Sequence, residues 1–317
     1  MVSRKLGFAV KVVGEPGLPS HDTRRWQSKP HLSVSLERLR GILEYLARVQ
    51  IGMYRLPSGL VPYATHPDLP QFHGQLEACA AELAEAGARA NELGIRLSSH
   101  PAQFVVINSA SESVRAAAAR DVELQARLLD AMGLGPEAVV VLHVGSAEGG
   151  HEAGMVRFLR AVEQLSERAR ARLVIENDDR VFSLKHVLEV SGQSGLRVVW
   201  DVLHHHCHDP DGVPDREALQ LALATWPQGQ TPKIHYSSPR TAVETRPGKG
   251  GLLLPQLRAH ADMVDPVAFE WFLDGPARGL GFDIMLEAKA KDAALLRLRE
   301  QLGGRGIPTR GQHLQAP

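Results

Sequence analysis

Apolar runs of strand length alternate with longer amphipathic stretches through most of the chain. The runs at 5–13, 52–56, 95–100, 138–143, 172–176, 196–201, 233–237 and 281–287 are continuous, not alternating, as expected of strands covered on both faces in a parallel sheet. Helical patterns fall between them at 34–50, 72–93, 113–132, 152–169, 183–191, 215–225, 266–277 and 288–302. Eight strand-then-helix units predict an α/β protein, a single (β/α)8 TIM barrel over 1–302, with an open doubly wound sheet as the structural alternative. Connections from helix to strand are short and marked by glycine, as at Gly94 and at Gly192 to Gly195, whereas strand-to-helix connections are long. In a barrel those long loops share the C-terminal face, where this fold holds its active sites. The Gly- and Pro-containing segment 303–317 reads as a flexible C-terminal tail, and His313 is given no role.

Composition changes this picture little. The 317 residues are 44% hydrophobic, and no apolar run reaches the roughly 18 residues of a membrane span. The start lacks the pattern of a secretory signal, so a cytoplasmic protein is expected. Cys79 and Cys207 are too few for a disulfide framework, and Cys79 reads as a buried structural thiol. Lys plus Arg and Asp plus Glu balance at 36 each, which argues against binding dominated by overall charge. A metal-rich site could still supply positive potential locally.

The histidines carry more information. Around Val198-Val-Trp-Asp201 an apolar strand ends and runs into His204-His-His-Cys-His208, which alone could be a solvated histidine-rich loop. Its significance comes from the other strands, because His100, His143, Glu176, Asp201, His235 and Glu287 all occupy strand ends. Any one of them has a structural explanation, but six at one topological position converge on a barrel axis. His204 and His260 lie on loops within reach. Three carboxylates and five imidazoles exceed the needs of one tetrahedral zinc and suit two or three divalent ions, with Glu176 and Asp201 as bridges. Such a centre is net positive and fits a phosphate, and multi-metal sites hydrolyse phosphoesters.

Weaker signals remain. Arg246-Pro-Gly-Lys-Gly-Gly251 lacks the spacing of a Walker motif, since position 243 is Val and no Ser or Thr follows Lys249. It reads equally as a basic loop touching a DNA backbone or as flexible surface. Arg24-Arg25-Trp26 mixes basic and aromatic residues that could grip nucleic acid or form a solvated turn.

Several blocks together resemble the UV damage endonucleases. They are Leu6-Gly-Phe8, Tyr54-Arg-Leu56, Leu60-Val-Pro62, His66-Pro67, Ser98-Ser-His-Pro-Ala-Gln-Phe-Val-Val-Ile-Asn108 and Leu142-His-Val-Gly145. Ile175-Glu-Asn-Asp178, Trp200-Asp-Val-Leu-His-His-His206, Lys233-Ile-His-Tyr-Ser-Ser-Pro239, His260-Ala-Asp262 and Met285-Leu-Glu287 continue the match. More distantly, the ligand order is similar to endonuclease IV, an abasic-site nuclease with a trinuclear metal centre in the same barrel. The resemblance implies a DNA repair enzyme that nicks the backbone immediately 5′ to cyclobutane pyrimidine dimers and 6-4 photoproducts in damaged double-stranded DNA, acting as a monomer. It implies two or three divalent ions, most naturally Mn, with Zn, Co or Mg as alternatives. One ion would take His100, His143 and Glu176; a second Glu176, Asp201, His235 and Glu287; a third Asp201, His204 and His260.

By the same resemblance, Lys233 matches a lysine that the family can carry carboxylated, and His66 a further active-site histidine. Gln103 and Phe104 fall where a Gln-Tyr pair probes the duplex. Phe8 and Phe104 stand where the family has Tyr, keeping an aromatic face for stacking without the hydroxyl. Arg240 and Lys249 are expected to touch DNA. The alternatives are an abasic-site endonuclease and, in a different class, a metal-dependent sugar isomerase, which would use a more carboxylate-rich pair of sites.

Overall fold

Each of the eight apolar runs overlaps a strand that is shorter than the run predicting it, because ladder hydrogen bonds cover only part of each apolar stretch. The computed structural model describes residues 2–246, 248 and 250–317. The chain begins with β1 (Val2–Ala9), α1 (Leu32–Arg48), β2 (Met53–Arg55), α2 (Gln75–Ala78), α3 (Ala80–Glu92), β3 (Arg96–Ser98) and α4 (Glu112–Ala131). It continues through β4 (Val140–His143), α5 (His151–Gln164), α6 (Glu167–Arg172), β5 (Leu173–Glu176), α7 (Leu184–Ser194), β6 (Arg197–Val199), α8 (Val202–Cys207) and α9 (Asp215–Ala224). After β7 (Lys233–Tyr236) come a short ribbon, β8 (Glu244–Thr245) and β9 (Leu252–Leu253), then α10 (Pro266–Asp274) and β10 (Asp283–Leu286). The last elements are α11 (Lys291–Gly304), β11 (Thr309–Arg310) and β12 (His313–Ala316).

The principal strands pair in parallel. One section runs β3-β2-β1-β10-β7 and a second runs β4-β5-β6. Single parallel bridges, Ser99 to Val140 and Asp201 to His235, join the two sections at both ends. Along each strand the side chains alternate between two buried environments. Val140, Leu142, Ile175 and Val198 belong to the large core that includes the helix residues, whereas Val139, Val141, Val174 and Val199 form a separate small cluster with Trp226. The inner set has the same parity as the strand-end residues, so two positions after Val141, Val174 and Val199 come His143, Glu176 and Asp201. This period of two aims the ligand-type side chains inward.

Two expectations are corrected here. The segment 303–317 is not a frayed end. Its β12 pairs antiparallel with Val2 to Lys5 of β1 and buries Leu314 and Ala316 completely, while His313 and Gln315 alternate outward. The apolar alternation Leu314-Gln-Ala316 is too short to stand out between Gly and Pro. Phe8 is also not a DNA contact: it is fully buried and meets the Tyr54 ring edge-on at 5.4 Å, so it works as core packing.

Candidate metal centre

The strand ends β3 to β7 and β10 deliver their side chains to one cluster centred on Glu176, which is buried. Its Oε2 lies 3.1 Å from His100 Nε2 and 3.7 Å from His143 Nε2, and its Oε1 lies 2.8 Å from His235 Nδ1 and 3.6 Å from His204 Nδ1. His235 Nδ1 is also 3.3 Å from Glu287, and His260 Nδ1 is 3.7 Å from the other Glu287 oxygen. Among the described residues, three groups have ligand atoms within 4.8 Å of one another: His100 with His143 and Glu176, Glu176 with Asp201 and His204, and Asp201 with His235 and Glu287. Glu176 and Asp201 are each shared by two groups, as bridging carboxylates would be. The first group matches the expected first ion. The other two divide the residues differently, and His260 sits beside Glu287 rather than joining Asp201 and His204.

Local structure explains the placement of Asp201 and His204. His204 does not lie on a loop, because the chain after β6 turns directly into α8, and Asp201 caps that helix by accepting from the His204 N–H at 2.7 Å. Asn177 holds the same corner. Its amide accepts from the Asp201 N–H and donates to the Asp201 carbonyl, at 2.9 and 3.0 Å, and its own carbonyl receives His204 Nδ1 at 3.0 Å. His100 likewise directs Nδ1 to the Pro101 carbonyl at 3.0 Å. In both histidines Nδ1–H faces a carbonyl, the kind of outer contact that orients a metal-ligating imidazole and would direct Nε2 to an ion once any proton there is displaced.

The electrostatics suit a cation. Burial pushes the Asp201 carboxyl up to about 7, and among the described residues its Oδ2 has no hydrogen-bond partner; nor have His143 Nδ1 and His235 Nε2. Burial also lowers His100, His260 and His235, the last to about 4, which keeps these imidazoles neutral as ligation requires. His204 differs. Burial would lower it, but the Asp201, Glu176 and Glu287 carboxylates outweigh that and raise it to about 9, so a proton on His204 offsets part of the negative charge. Buried donors left unpartnered around carboxylates short of positive charge fit one or more divalent ions.

Not every expected residue joins the cluster. Lys233 is fully buried below it and donates to Ser98 Oγ at 3.0 Å; desolvation, with Arg96 and Arg55 nearby, holds its amine well below the ordinary lysine range. His66 is exposed and stands apart from the ligand groups, accepting from the Asp68 N–H at 3.2 Å and lying edge-on to Tyr63. Gln103 and Phe104 are exposed on the β3 to α4 connection, with Phe104 77% accessible. Arg240 is ion-paired with Glu244, and Lys249 lies outside the described residues. The other histidines of the 204–208 run serve structure: His205 bonds the Val213 carbonyl, His206 Asp215, and His208 the Val181 carbonyl. Arg24 is tied to Asp22, and Trp26 is half-exposed.

Sequence reasoning missed Arg55 and Asn177. Arg55 ends β2 at the position where other strands carry ligands, and its guanidinium lies 2.5 Å from Glu287. Arginine is not a metal ligand, so residue type alone does not mark Arg55 as part of the site, although it stands two positions after the buried Met53 on the same face of β2.

Comparison with known proteins agrees with this geometry. The sequence model of the family "UV-endonuclease UvdE" matches residues 22–310. A UV DNA damage endonuclease of Bacillus velezensis is 32% identical over 289 residues, covering 87% of this chain and 84% of the relative. That of Bacillus pumilus is 34% identical over 256 residues, covering 80% and 75%. The crystal structure of SacUVDE superposes with a TM-score of 0.81 at 31% identity, over 96% of this chain and 99% of that one. A D-psicose 3-epimerase, at a TM-score of 0.52 and 14% identity, shares the TIM-barrel-like fold alone. With the matched span covering most of its length and relatives above 30% identity, the chain belongs to the UV-endonuclease UvdE family and is an endonuclease.

Proposed function

We propose that this protein is a metal-dependent DNA repair endonuclease that cuts the phosphodiester immediately 5′ to cyclobutane pyrimidine dimers and 6-4 photoproducts, as a monomer on damaged duplex DNA. The observation that carries the reading is the sharing of Glu176 and Asp201 among three donor groups at one end of the parallel strands. In this reading the two bridged sections close into a single (β/α)8 ring over 1–302, open to the substrate at the C-terminal ends of its strands.

His100, His143, Glu176, Asp201, His204, His235, His260 and Glu287 would hold two or three ions, with manganese suited to this mixed imidazole and carboxylate set. Bound divalent ions supply Lewis acidity toward a phosphodiester and lower the pKa of water. The chain's own residues do the rest. Glu176 orients the His100 and His235 imidazoles, Asp201 caps the helix that carries His204, Asn177 fixes Asp201 and His204, and Arg55 neutralises Glu287. Lys233, buried and favouring a neutral amine, has the form that carboxylation requires. Phe104, with Gln103 beside it, offers the apolar face of a wedge that fills a gap left by unstacked bases. Photoproduct bases are already poorly stacked, so their extrusion costs less than that of intact bases.

Replacing Glu176 with Gln is expected to abolish nicking of UV-irradiated duplex while leaving lesion binding in place. Full nicking by that variant sinks the reading. Faster cutting of an abasic duplex than of a photoproduct duplex would move the assignment to an abasic-site enzyme.

A further inference from the structure

The β7 to α10 connection carries the β8–β9 ribbon, whose register pairs Glu244 with Leu253 and Thr245 with Leu252. Directly opposed residues of an antiparallel pair share a face, and so do positions two apart along a strand. Val243, Thr245, Leu252 and Leu254 therefore lie on one face, with Glu244 and Leu253 on the other. The first face is apolar and uncovered: Val243 is 56% exposed, Leu252 67% and Leu254 83%. Exposed apolar faces of this kind mark interaction sites.

The ribbon is rooted in the candidate centre. A bridge joins Pro239 to His260, the Arg240 N–H donates to the Ala259 carbonyl at 2.7 Å, and His260 itself lies 3.7 Å from Glu287. Charge distinguishes the occupant. Between Pro239 and His260 the sequence carries Arg240, Arg246, Lys249 and Arg258 against Glu244 alone; Arg240 pairs with Glu244 and Arg258 stands 4.0 Å from Asp179, yet the segment keeps a positive surplus in a chain whose overall charges balance. A basic surround favours a polyanion over an apolar protein face. Leucines on a basic two-stranded ribbon combine the width that enters a DNA groove with the side chains that wedge base steps.

We propose that the β8–β9 ribbon is a second DNA-engaging element, which presses Leu252 and Leu254 into the duplex groove beside the scissile bond and holds the duplex bent. This rests on the DNA-cutting reading above. Phe104 projects from the connection after β3, which β2, β1 and β10 separate from β7, so the duplex is gripped at two distant points of the rim. Two separated wedges stabilise a bend that a single one leaves free to relax.

The test uses the full chain with Leu252→Ser and Leu254→Ser together. Both side chains are exposed, so the fold tolerates the change. Binding and end-to-end distance are read in chelator, without turnover, on a photoproduct duplex carrying fluorophores at its two ends. The double variant is expected to bind about tenfold more weakly and to lose the shortening of end-to-end distance that the wild type produces. With ions restored, its defect falls on KM and not on kcat. Leu252→Met with Leu254→Met restores binding and bending, because apolar volume returns. Wild-type binding and bending by the serine variant overturn the proposal. So does a serine variant that differs from wild type only in losing self-association in sedimentation, which would assign the face to a second copy of this chain. Failure of the wild type to cut the photoproduct duplex defeats the functional reading instead, since the chelated binding and bending measurements do not depend on cutting.

Discussion

Buried charge lies at both ends of the parallel strands, and the two ends treat it differently. At the N-terminal ends Arg172 donates to Asp130 and to the carbonyls of Leu134, Gly135 and Ala138. Arg197 donates to the carbonyls of Pro136 and Ala171 and to Gln230. Arg96 pairs with Asp283 through Nη1 at 2.9 Å, with Nη2 left unpartnered among the described residues. At the C-terminal ends, carboxylates and imidazoles crowd together, with Asp201 Oδ2, His143 Nδ1 and His235 Nε2 unpartnered. Buried charge with several partners, as on Arg172 and Arg197, ties loops to strands and belongs to stability. Unsatisfied buried charge is tolerated where a ligand completes it.

The sharpest way to break this contrast is Asp201→Asn. The neutral amide removes a buried carboxyl that burial already pushes up to about 7. Nicking is expected to fall more than about a hundredfold, beyond the usual effect of an outer partner. The metal-free protein should melt no lower than the wild type, and manganese should no longer raise its Tm. If manganese stabilises both proteins equally, Asp201 is not a ligand.

Asn177→Ala probes the support of the same corner. Loss of its bonds to Asp201 and His204 is expected to weaken metal affinity by about 10–100-fold, measured by metal titration. Unchanged affinity would show that the backbone alone holds the corner.

Arg197→Met tests the opposite end. Leaving two carbonyls and Gln230 without their donor should cost about 2–3 kcal/mol in denaturant unfolding, with kcat and metal affinity unchanged. An altered metal affinity would join the two ends and erase the distinction.

The smallest effect, taken per pH unit, is that of pH. A protonated His204 cannot ligate, and its pKa is raised to about 9 in the metal-free protein. Affinity for manganese should therefore tighten as pH rises toward 9, by about tenfold per unit when this single proton is displaced, and level off above it. A pH-independent affinity between 7 and 9 would remove His204 from the ligand set.

Much of this was legible in one dimension. The strands and their order follow from continuous apolar runs, and the ligand candidates follow from residue type at the ends of those runs. Asn177 is visible in the sequence only as the residue after Glu176, and its role depends on β5 and β6 lying side by side. The α8 helix was hidden because three successive histidines carry no helical pattern, and only the Asp201 cap starts it. Phe8 and Phe104 look alike as aromatic replacements, yet one is sealed against Tyr54 and the other stands in solvent. Burial of that kind depends on neighbours distant in sequence.

The sequence by itself determined the eight apolar runs, the two-residue period that turns one set of side chains inward, and the chemical types at their ends. These are local properties, set by covalent spacing and side-chain polarity. Tertiary structure alone decided which donors share Glu176 and Asp201, that Arg55 answers Glu287, and that the last residues pair with β1. Each of those depends on contacts between segments far apart in sequence, made only when the strands come together around one interior.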